Sequence, residues 1–433
     1  PLMVEEAGYH ISYTYKVWSP GLSINAPYGG ARTSYQSHGS RFNNFSEEVS
    51  KRPPGQSVEE AKNELIEETR QNFQSFLDSR PTDKPFCYWW GPTNTHRTWQ
   101  QGSGKEIWGL DPDNLTKRMP DFLPDVPEIR EDFNDYLGEC QAVDAGLGAI
   151  IEQLEQTGEI DNTIIVVSGD HGIPGFPRAK CNLYNLGTEV ALAIRWPGHI
   201  SKGRIISDFV NLMDLAPTFL DIAEVEKPSD MVANSLIPLL ESSNSGRVEE
   251  TRDFVVTGRE RHGLAREGYL PYPSRAIRTD DFLYIYNFAP DRWPIGDPKG
   301  LEDDDAIPPS AEDILESYDT IFQDIDKGPT KVWMIYNRGK NQVKPLYELA
   351  FGKRPLEELY DLRVDPDYMS NVAEQSEYQI KKNEMKTRLM SILENENDPR
   401  VTESPSRFDL PPFAGPVPKE WTEESNRESK RLT

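Results

Sequence analysis

Residues 164–198 read IIVVSGDHGIPGFPRAKCNLYNLGTEVALAIRWPG. The β-branched start of this stretch, Ile164 to Val167, predicts a buried parallel strand. Asp170 and His171 follow at the carboxyl end of that strand, where open α/β sheets place their ligands. The glycines and prolines after His171 favour turns, which suits a loop that lines a site. The stretch therefore predicts an α/β fold with functional side chains at a strand end.

The chemistry of this stretch favours a cation and an anion together. Asp170 and His171 are neighbours in a loop, which is free of the two-face alternation of a strand, so both side chains can turn toward one cation. Lys180 follows nine residues after His171 and adds a positive charge. The alternative is that residues 170–172 only close the strand and cap the next element. Lys180 and the flanking strands favour the functional interpretation.

The first half of the chain alternates helices and strands. Ser57 and Glu60 form the pattern of a capping box, which predicts a helix through Ser79. A strand is predicted over residues 86–90, and apolar spacing predicts a second helix over residues 128–157. Strand, long helix and strand in this order predict a parallel sheet with crossover helices.

The composition of the sequence changes after Glu224, where polar and turn-forming residues become frequent. Short strands of a smaller sheet are predicted at residues 254–257, 276–279 and 282–286, and a last helix at residues 374–394. The Pro-rich end favours irregular structure. We therefore predict a catalytic α/β domain over residues 1–225, a smaller α+β subdomain with an antiparallel sheet and a helix over residues 226–395, and an irregular tail over residues 396–433.

Charge and hydrophobicity exclude several classes of partner. Lys and Arg number 47 against 72 Asp and Glu, a formal charge of −25, which opposes binding to nucleic acid or to an anionic membrane. A small anion in a locally basic pocket remains compatible with this charge. The chain has no apolar run of about 18 residues, so no transmembrane segment is predicted. No signal peptide is visible at its start.

The three cysteines do not form a recognisable framework. Cys87, Cys140 and Cys181 show no C-x-x-C pair and no zinc spacing. An odd, sparse set argues against a disulfide framework. Cys87 and Cys140 fall in a strand and on an apolar helical face, where a buried small hydrophobic residue is expected. Cys181 lies beside Lys180, and this adjacency is the only support for a reactive thiol at that position.

Further candidates lie outside the opening stretch. His96 and Arg97 follow the strand at residues 86–90, so they are expected at the same sheet edge as Asp170. A hydrogen-bonded structural role and a proton-transfer role are equally open for His96. Lys16 follows another strand-like segment, where a surface lysine is the alternative. Arg261 and His262 form a basic pair, for which a cluster on the surface is the alternative to a role in a site.

The order of these motifs resembles the sulfatase family over most of the chain. The similar segments are EAGYHISYTYK, the strand before His96, FLPDVPEIREDFNDY, the Asp170 stretch, VNLMDLAPTFLDI, RAIRTDDFLYIYN and LYDLRVDP. The resemblance is closest to the heparan N-sulfatase branch. It implies an alkaline-phosphatase-like fold, a mostly parallel sheet flanked by helices. The implied activity is hydrolysis of sulfate esters or N-sulfate groups of sugars, such as heparan-type glucosamine in glycosaminoglycan degradation.

The resemblance also implies roles for individual residues. Asp170 and His171 would ligate one calcium ion, although histidine is an unusual ligand for so hard a cation. Lys16 and Lys180 would hold the sulfate or leaving group, and His96 would assist proton transfer. The remaining candidates, Arg97 and His262, would contact the substrate. The family implies a periplasmic, secreted or lysosome-like location, and no oligomeric state follows.

The chain departs from the family pattern at two places. Trp18 stands where a histidine is common, two residues after Lys16. The nucleophile motif, Cys- or Ser-x-Pro-x-Arg, is not found, because Pro271 and Glu403 occupy the nucleophile position of the two segments with the right ending. The formylglycine made from that motif, and the paired aspartates of the metal site, are therefore expected before residue 1. Without them the chain as given is expected to be inactive.

Two alternatives compete with the sulfatase interpretation. A non-catalytic protein on a sulfatase scaffold would bind sulfated glycans without cleaving them. A metal-dependent phosphodiesterase of the same superfamily would use two zinc ions and would need more ligand histidines than the six in this chain.

Overall fold

The computed structural model describes residues 1–16, 32–303 and 305–410. Trp18 and residues 411–433 of the predicted tail lie outside these ranges. The helices are α1 Leu2–Glu6, α2 Phe45–Ser50, α3 Val58–Ser79, α4 Ser103–Trp108, α5 Pro127–Gln156, α6 Asn185–Thr188, α7 Leu215–Ile222, α8 Ile237–Glu241, α9 Ala311–Glu316, α10 Pro329–Asn337, α11 Lys344–Phe351, α12 Gln379–Asn395 and α13 Pro399–Thr402. The strands are β1 His10–Tyr15, β2 Phe86–Gly91, β3 Ile165–Ser168, β4 Leu192–Arg195, β5 Phe254–Arg259, β6 Ser274–Thr279, β7 Phe282–Asn287 and β8 Glu357–Asp361.

The chain divides into two compact units. Unit 1 comprises residues 1–118, 130–170 and 190–253, and unit 2 comprises residues 119–129, 171–189 and 254–433. The division separates Asp170 from His171, so these two neighbours in sequence belong to different units.

Unit 1 is built on a parallel strand pair covered by long helices. β1 and β2 pair in parallel, with His10 opposite Phe86, as the alternation of elements predicts. The predicted capping box is present at the start of α3: the Glu60 amide donates to the Ser57 hydroxyl at 3.2 Å, and the Glu60 carboxylate accepts from the Ser57 amide at 2.8 Å. Apolar side chains of α3 and α5 pack against β2; they include Phe73, Phe76, Ile150 and Leu154.

The strand before Asp170 differs from its prediction. β3 pairs with β4 in antiparallel order, with Ile165 opposite Arg195, and its residues are half-buried or exposed. The chain between the two strands contains turns and the four-residue α6 rather than a crossover helix. The start of β4 therefore lies beside the end of β3, where the Gly169 amide donates to the Ala191 carbonyl at 3.3 Å.

Unit 2 is organised around an antiparallel sheet in the order β5-β6-β7-β8, which confirms the predicted short strands. One face buries Ile277 and Tyr284 against Met385 and Leu389 of α12. The other face buries Ala276, Leu283 and Ile285 against Leu183 and Tyr184. The segment that carries Lys180 is therefore held on the face of the sheet opposite α12.

The end of the described chain is more ordered than predicted. α12 begins at Gln379 rather than at residue 374, because Gln375 is extended (ψ 134°) and residues 376–378 form a 3-10 turn. Beyond α12, Asp398 caps the short α13 and pairs with Arg275 of β6 at 2.6 Å. Arg400 pairs with Glu260 at 2.5 Å. These ion pairs hold residues 398–400 in a regular conformation.

Candidate active site

Lys16 lies at the carboxyl end of β1. Its amide donates to the Gly91 carbonyl at 2.9 Å, which continues the β1–β2 ladder beyond the last paired residues. A Cβ at Gly91 would lie 1.8 Å from the Lys16 carbonyl oxygen, so the two strands can approach this closely only because residue 91 is glycine. The Lys16 side chain is exposed. Its predicted contact with sulfate stays a prediction.

His96 follows β2 in the same unit, and its ring is held by the next residue. Its Nδ1 lies 2.7 Å from the Arg97 carbonyl oxygen, which can only accept a hydrogen bond. Nδ1 therefore carries a proton, and in the neutral ring Nε2 carries the lone pair. Nε2 is thus the atom through which His96 can exchange a proton.

Arg97 is an anchor for this loop. Its guanidinium forms a bidentate pair with Asp132 of α5, at 2.5 and 2.9 Å, and both side chains are almost completely buried. It also stacks on Trp99, with 3.9 Å between the guanidinium carbon and the ring centroid. Because the fork of Arg97 binds Asp132, the geometry favours a positioning role, and its predicted substrate contact stays a prediction.

The inward face of α5 carries three buried acids that belong to none of the sequence motifs. Besides Asp132, Asp135 accepts from the amides of Gly102 and Gly104 at 2.9 and 2.8 Å. Glu139 accepts from the Asn94 side chain at 3.0 Å. Burial raises the pKa of Asp135 and of Glu139 to about 7. The spacing i, i+3, i+7 on a predicted helix was the available signal, since it places all three acids on one face.

Asp170 and His171 follow β3 as predicted. Asp170 is exposed, two residues beyond the strand. His171 is half-buried, and its Nδ1 donates to the Gly172 carbonyl at 2.8 Å. A Cβ at Gly172 would lie 1.7 Å from the Leu186 carbonyl oxygen, so glycine is required for the close approach of the two loop segments.

The donor set of these two residues fits a divalent cation. The carboxylate of Asp170 offers hard oxygen ligands. The bond from Nδ1 of His171 to a backbone carbonyl places the lone pair on Nε2, the arrangement typical of metal-binding histidines.

Lys180 is one of the buried cations of unit 2. Its Nζ lies 3.0 Å from Asp326, and both side chains are more than nine-tenths buried. The loop that carries Asp326 is held by Lys331, whose ammonium donates to the carbonyls of Phe322 and Ile325 at 3.2 and 3.0 Å. Burial lowers the pKa of Lys331 to about 7. No sequence pattern indicates Asp326 as the partner of Lys180.

His262 lies near a second acid of that loop. Its Nδ1 is 3.4 Å from Asp324, which also pairs with Arg259 at 2.6 Å and with Arg266 at 2.5 Å. The neighbouring Asp324 carboxylate raises the pKa of His262 to about 10, and the Cys181 sulfur contributes to this rise. His262 is therefore part of a charged cluster rather than an isolated surface histidine, and its predicted sugar contact stays a prediction.

The predicted site residues divide between the units. Lys16, His96, Arg97 and Asp170 belong to unit 1. His171, Lys180 and His262 belong to unit 2, where the partners of Lys180 and His262 are only two residues apart.

Comparison with known proteins agrees with the predicted family. Residues 1–225, just over half of the chain, match the family model described as Sulfatase. The chain belongs to the sulfatase family. This sulfatase is 28% identical over 213 residues to N-sulphoglucosamine sulphohydrolase of Homo sapiens, covering 47% of the chain and 39% of the relative. It is 36% identical over 177 residues to N-acetylglucosamine-6-O-sulfatase of Bacteroides thetaiotaomicron, covering 38% of the chain and 30% of the relative.

Solved structures show the fold. This sulfatase superposes with a TM-score of 0.54 and 20% identity on a protein solved in complex with its substrate D-glucosamine-2-N,6-O-disulfate. The superposition covers 93% of this chain and 82% of that one. The fold is alkaline-phosphatase-like, as predicted. The chain spans well under half the length of the two curated relatives. Within the described ranges, no helix has the length and hydrophobicity to cross a bilayer.

Proposed function

We propose that this chain is part of a hydrolase that removes sulfate from sulfated glucosamine, as an O-sulfate ester or an N-sulfate. The observation that carries the proposal is the sulfatase match over residues 1–225, a range that includes Asp170 and His171 directly after β3 and Lys180 further along the chain. The names of two relatives, a sulphoglucosamine sulphohydrolase and an N-acetylglucosamine sulfatase, support glucosamine as the sugar.

The proposed cofactors are one calcium ion and a formylglycine. Asp170 and His171 would hold the ion, which supplies positive charge that polarises sulfate oxygens. The formylglycine, in sequence before residue 1, supplies the nucleophile. The family precedent favours calcium, while the imidazole ligand is compatible with other divalent metals.

Lys180 and Lys16 are proposed to bind the charged sulfate group. Lys180 carries its charge in a largely water-excluded position, where a cation interacts with an anion more strongly than it does in water. An ammonium has three N–H donors, so the ion pair with Asp326 is compatible with a bond to a sulfate oxygen. Asp326 would fix the direction of the ammonium. The exposed Lys16 would contribute attraction without such orientation.

His96 is proposed to protonate the departing oxygen or nitrogen. The bond from Nδ1 to the Arg97 carbonyl fixes the plane of the ring. Nε2 is then the atom that holds and transfers the proton. Arg97 and Asp132 act through His96, because their buried ion pair holds the peptide that orients the ring.

The test is release of inorganic sulfate by the full-length natural protein. Purified protein with calcium is incubated with glucosamine N-sulfate and with glucosamine 6-O-sulfate, and sulfate is measured by ion chromatography. We expect release from at least one substrate, loss of release on chelation, and a loss of at least about 100-fold in Asp170→Ala and Lys180→Met. Lys202→Met, at an exposed lysine, is the matched control and should keep full activity.

Two outcomes would replace the proposal. Calcium-dependent binding of the sulfated sugar with no sulfate release would identify a glycan-binding protein on a sulfatase scaffold. Zinc-dependent cleavage of a phosphodiester with no sulfate release would identify a phosphodiesterase. The proposed location, periplasmic, secreted or lysosome-like, is tested separately by fractionation of the source cells.

A further inference from the structure

Three side chains of unit 2 with metal-ligand chemistry lie close together: Cys181, His262 and Asp324. One potential ligand atom from each lies within 4.8 Å of the other two. Across residues 1–16, 32–303 and 305–410, this is the one such group of three or more His, Cys, Asp or Glu side chains. The cluster does not include Asp170 or His171, and none of its members has a part in the proposed calcium binding or proton transfer.

The two carboxylate oxygens of Asp324 have different surroundings. Arg259 and Arg266 both bond to Oδ2, at 2.6 and 2.5 Å. Oδ1 is buried and has no hydrogen-bond partner, although the residue is only 1% exposed. Buried carboxylate oxygens are nearly always bonded, so an unbonded one that faces His262 and Cys181 calls for a ligand.

The distance between Oδ1 of Asp324 and Nδ1 of His262 fits two atoms bound to one metal ion better than it fits a short hydrogen bond. A charge-assisted N–H···O bond spans about 2.7–2.9 Å, whereas the two atoms are 3.4 Å apart. Two ligand atoms on a tetrahedral zinc ion, with bonds of about 2.0 Å, are about 3.3 Å apart. We propose that Cys181, His262 and Asp324 bind a divalent cation of the zinc class.

The charges of the cluster are compatible with such an ion. A thiolate from Cys181 and the carboxylate of Asp324 supply two negative charges to a divalent cation, while Arg259 and Arg266 hold the far oxygen of that carboxylate. Three protein ligands leave a fourth position for water or another ligand. The side chain of His262 is 39% exposed, which provides an entry path.

The position of the site gives it a structural consequence. Cys181 follows Lys180, and Asp324 precedes Asp326 by two residues. The ion would therefore fasten the same two chain segments that the Lys180–Asp326 pair joins. The site would hold Lys180 in place.

The test is titration of the metal-free full chain with cobalt(II), a spectroscopic substitute for zinc. We expect a thiolate-to-cobalt charge-transfer band that saturates near one equivalent, is displaced by zinc and is unaffected by excess calcium. Cys181→Ser should abolish the band, and the matched control Cys140→Ser should keep it. His262→Gln, at a partly exposed side chain, should weaken cobalt binding by about 100-fold or more while circular dichroism stays unchanged.

Two results would overturn the proposal. The first is a folded natural protein that shows no charge-transfer band at millimolar cobalt. The second is a band that persists in Cys181→Ser. Because only a cysteine produces this band, binding at Asp170 and His171 cannot imitate it, so the sulfatase proposal and this one fail independently.

Discussion

Replacement of Arg97 is expected to destabilise unit 1 more than the loss of an ordinary salt bridge. The guanidinium and the Asp132 carboxylate are only 3% and 2% exposed, and they share two hydrogen bonds at 2.5 and 2.9 Å. Arg97→Met would leave Asp132 charged and buried without its main counter-ion. Breaking a buried pair in this way costs about 3–5 kcal/mol.

The pairing itself is measured with a double-mutant cycle. Arg97→Met, Asp132→Leu and the double variant are unfolded in urea, and free energies of unfolding are compared with those of the natural protein. The double variant replaces both charges by apolar groups. Its loss of unfolding free energy should therefore be about 3 kcal/mol smaller than the sum of the losses of the two single variants.

An exposed pair of the same unit serves as the control. Arg52 and Glu106 form hydrogen bonds at 3.2 and 3.3 Å, but Glu106 is 52% exposed. The same cycle on this pair should give at most about 1 kcal/mol of coupling. Single losses at Arg97 and Asp132 that are each under about 1 kcal/mol and additive within about 0.5 kcal/mol would refute the reasoning.

Three further predictions concern other residues of the two units. Burial raises the pKa of Glu139 to about 7, so the folded state binds its proton more tightly than the unfolded state does, and the stability of the natural protein relative to Glu139→Gln should fall by about 3 kcal/mol as the pH rises from 4.5 to 7. Urea unfolding at several pH values checks this, and parallel curves would contradict it. Lys180→Met should leave Asp326 unpaired and lower the free energy of unfolding by about 3 kcal/mol, whereas a loss below about 1 kcal/mol would show that the pair is not buried in solution. Gly172→Ala should lower the melting temperature because its Cβ would meet the Leu186 carbonyl at 1.7 Å, while Gly148→Ala, in α5 with open space around it, should stabilise by about 0.5–1 kcal/mol; equal effects in calorimetry would refute the steric argument.

Much of the fold was predictable because its signals are local. The capping box of Ser57 and Glu60 specifies the start of α3 through hydrogen bonds within one turn. The strands β5, β6 and β7 show their β-branched and aromatic residues directly in the sequence. Such patterns depend on backbone conformation within a few residues, so they can be recognised without knowledge of the tertiary structure.

The direction of β3 was not predictable from the same kind of signal. A β-branched run such as residues 164–167 indicates a strand, but it does not indicate the strand's partner. The order of strand, long helix and strand favoured a parallel neighbour. The neighbour of β3 is instead β4, and the residues between these two strands, 171–189, belong to unit 2. The partner of β3 therefore depends on where the chain returns after residue 189.

The partners of the site residues are the hardest feature to predict. Lys180 was a candidate from sequence, and burial of its ammonium requires a counter-ion, because an unpaired buried charge is costly. The chain offers 72 acidic residues, and no local pattern distinguishes one of them. Asp326 is selected because Lys331, buried in the same unit, holds the carbonyls of the loop that carries it. A sequence can therefore reveal that Lys180 needs a carboxylate, while the packing of two distant segments decides which carboxylate meets it.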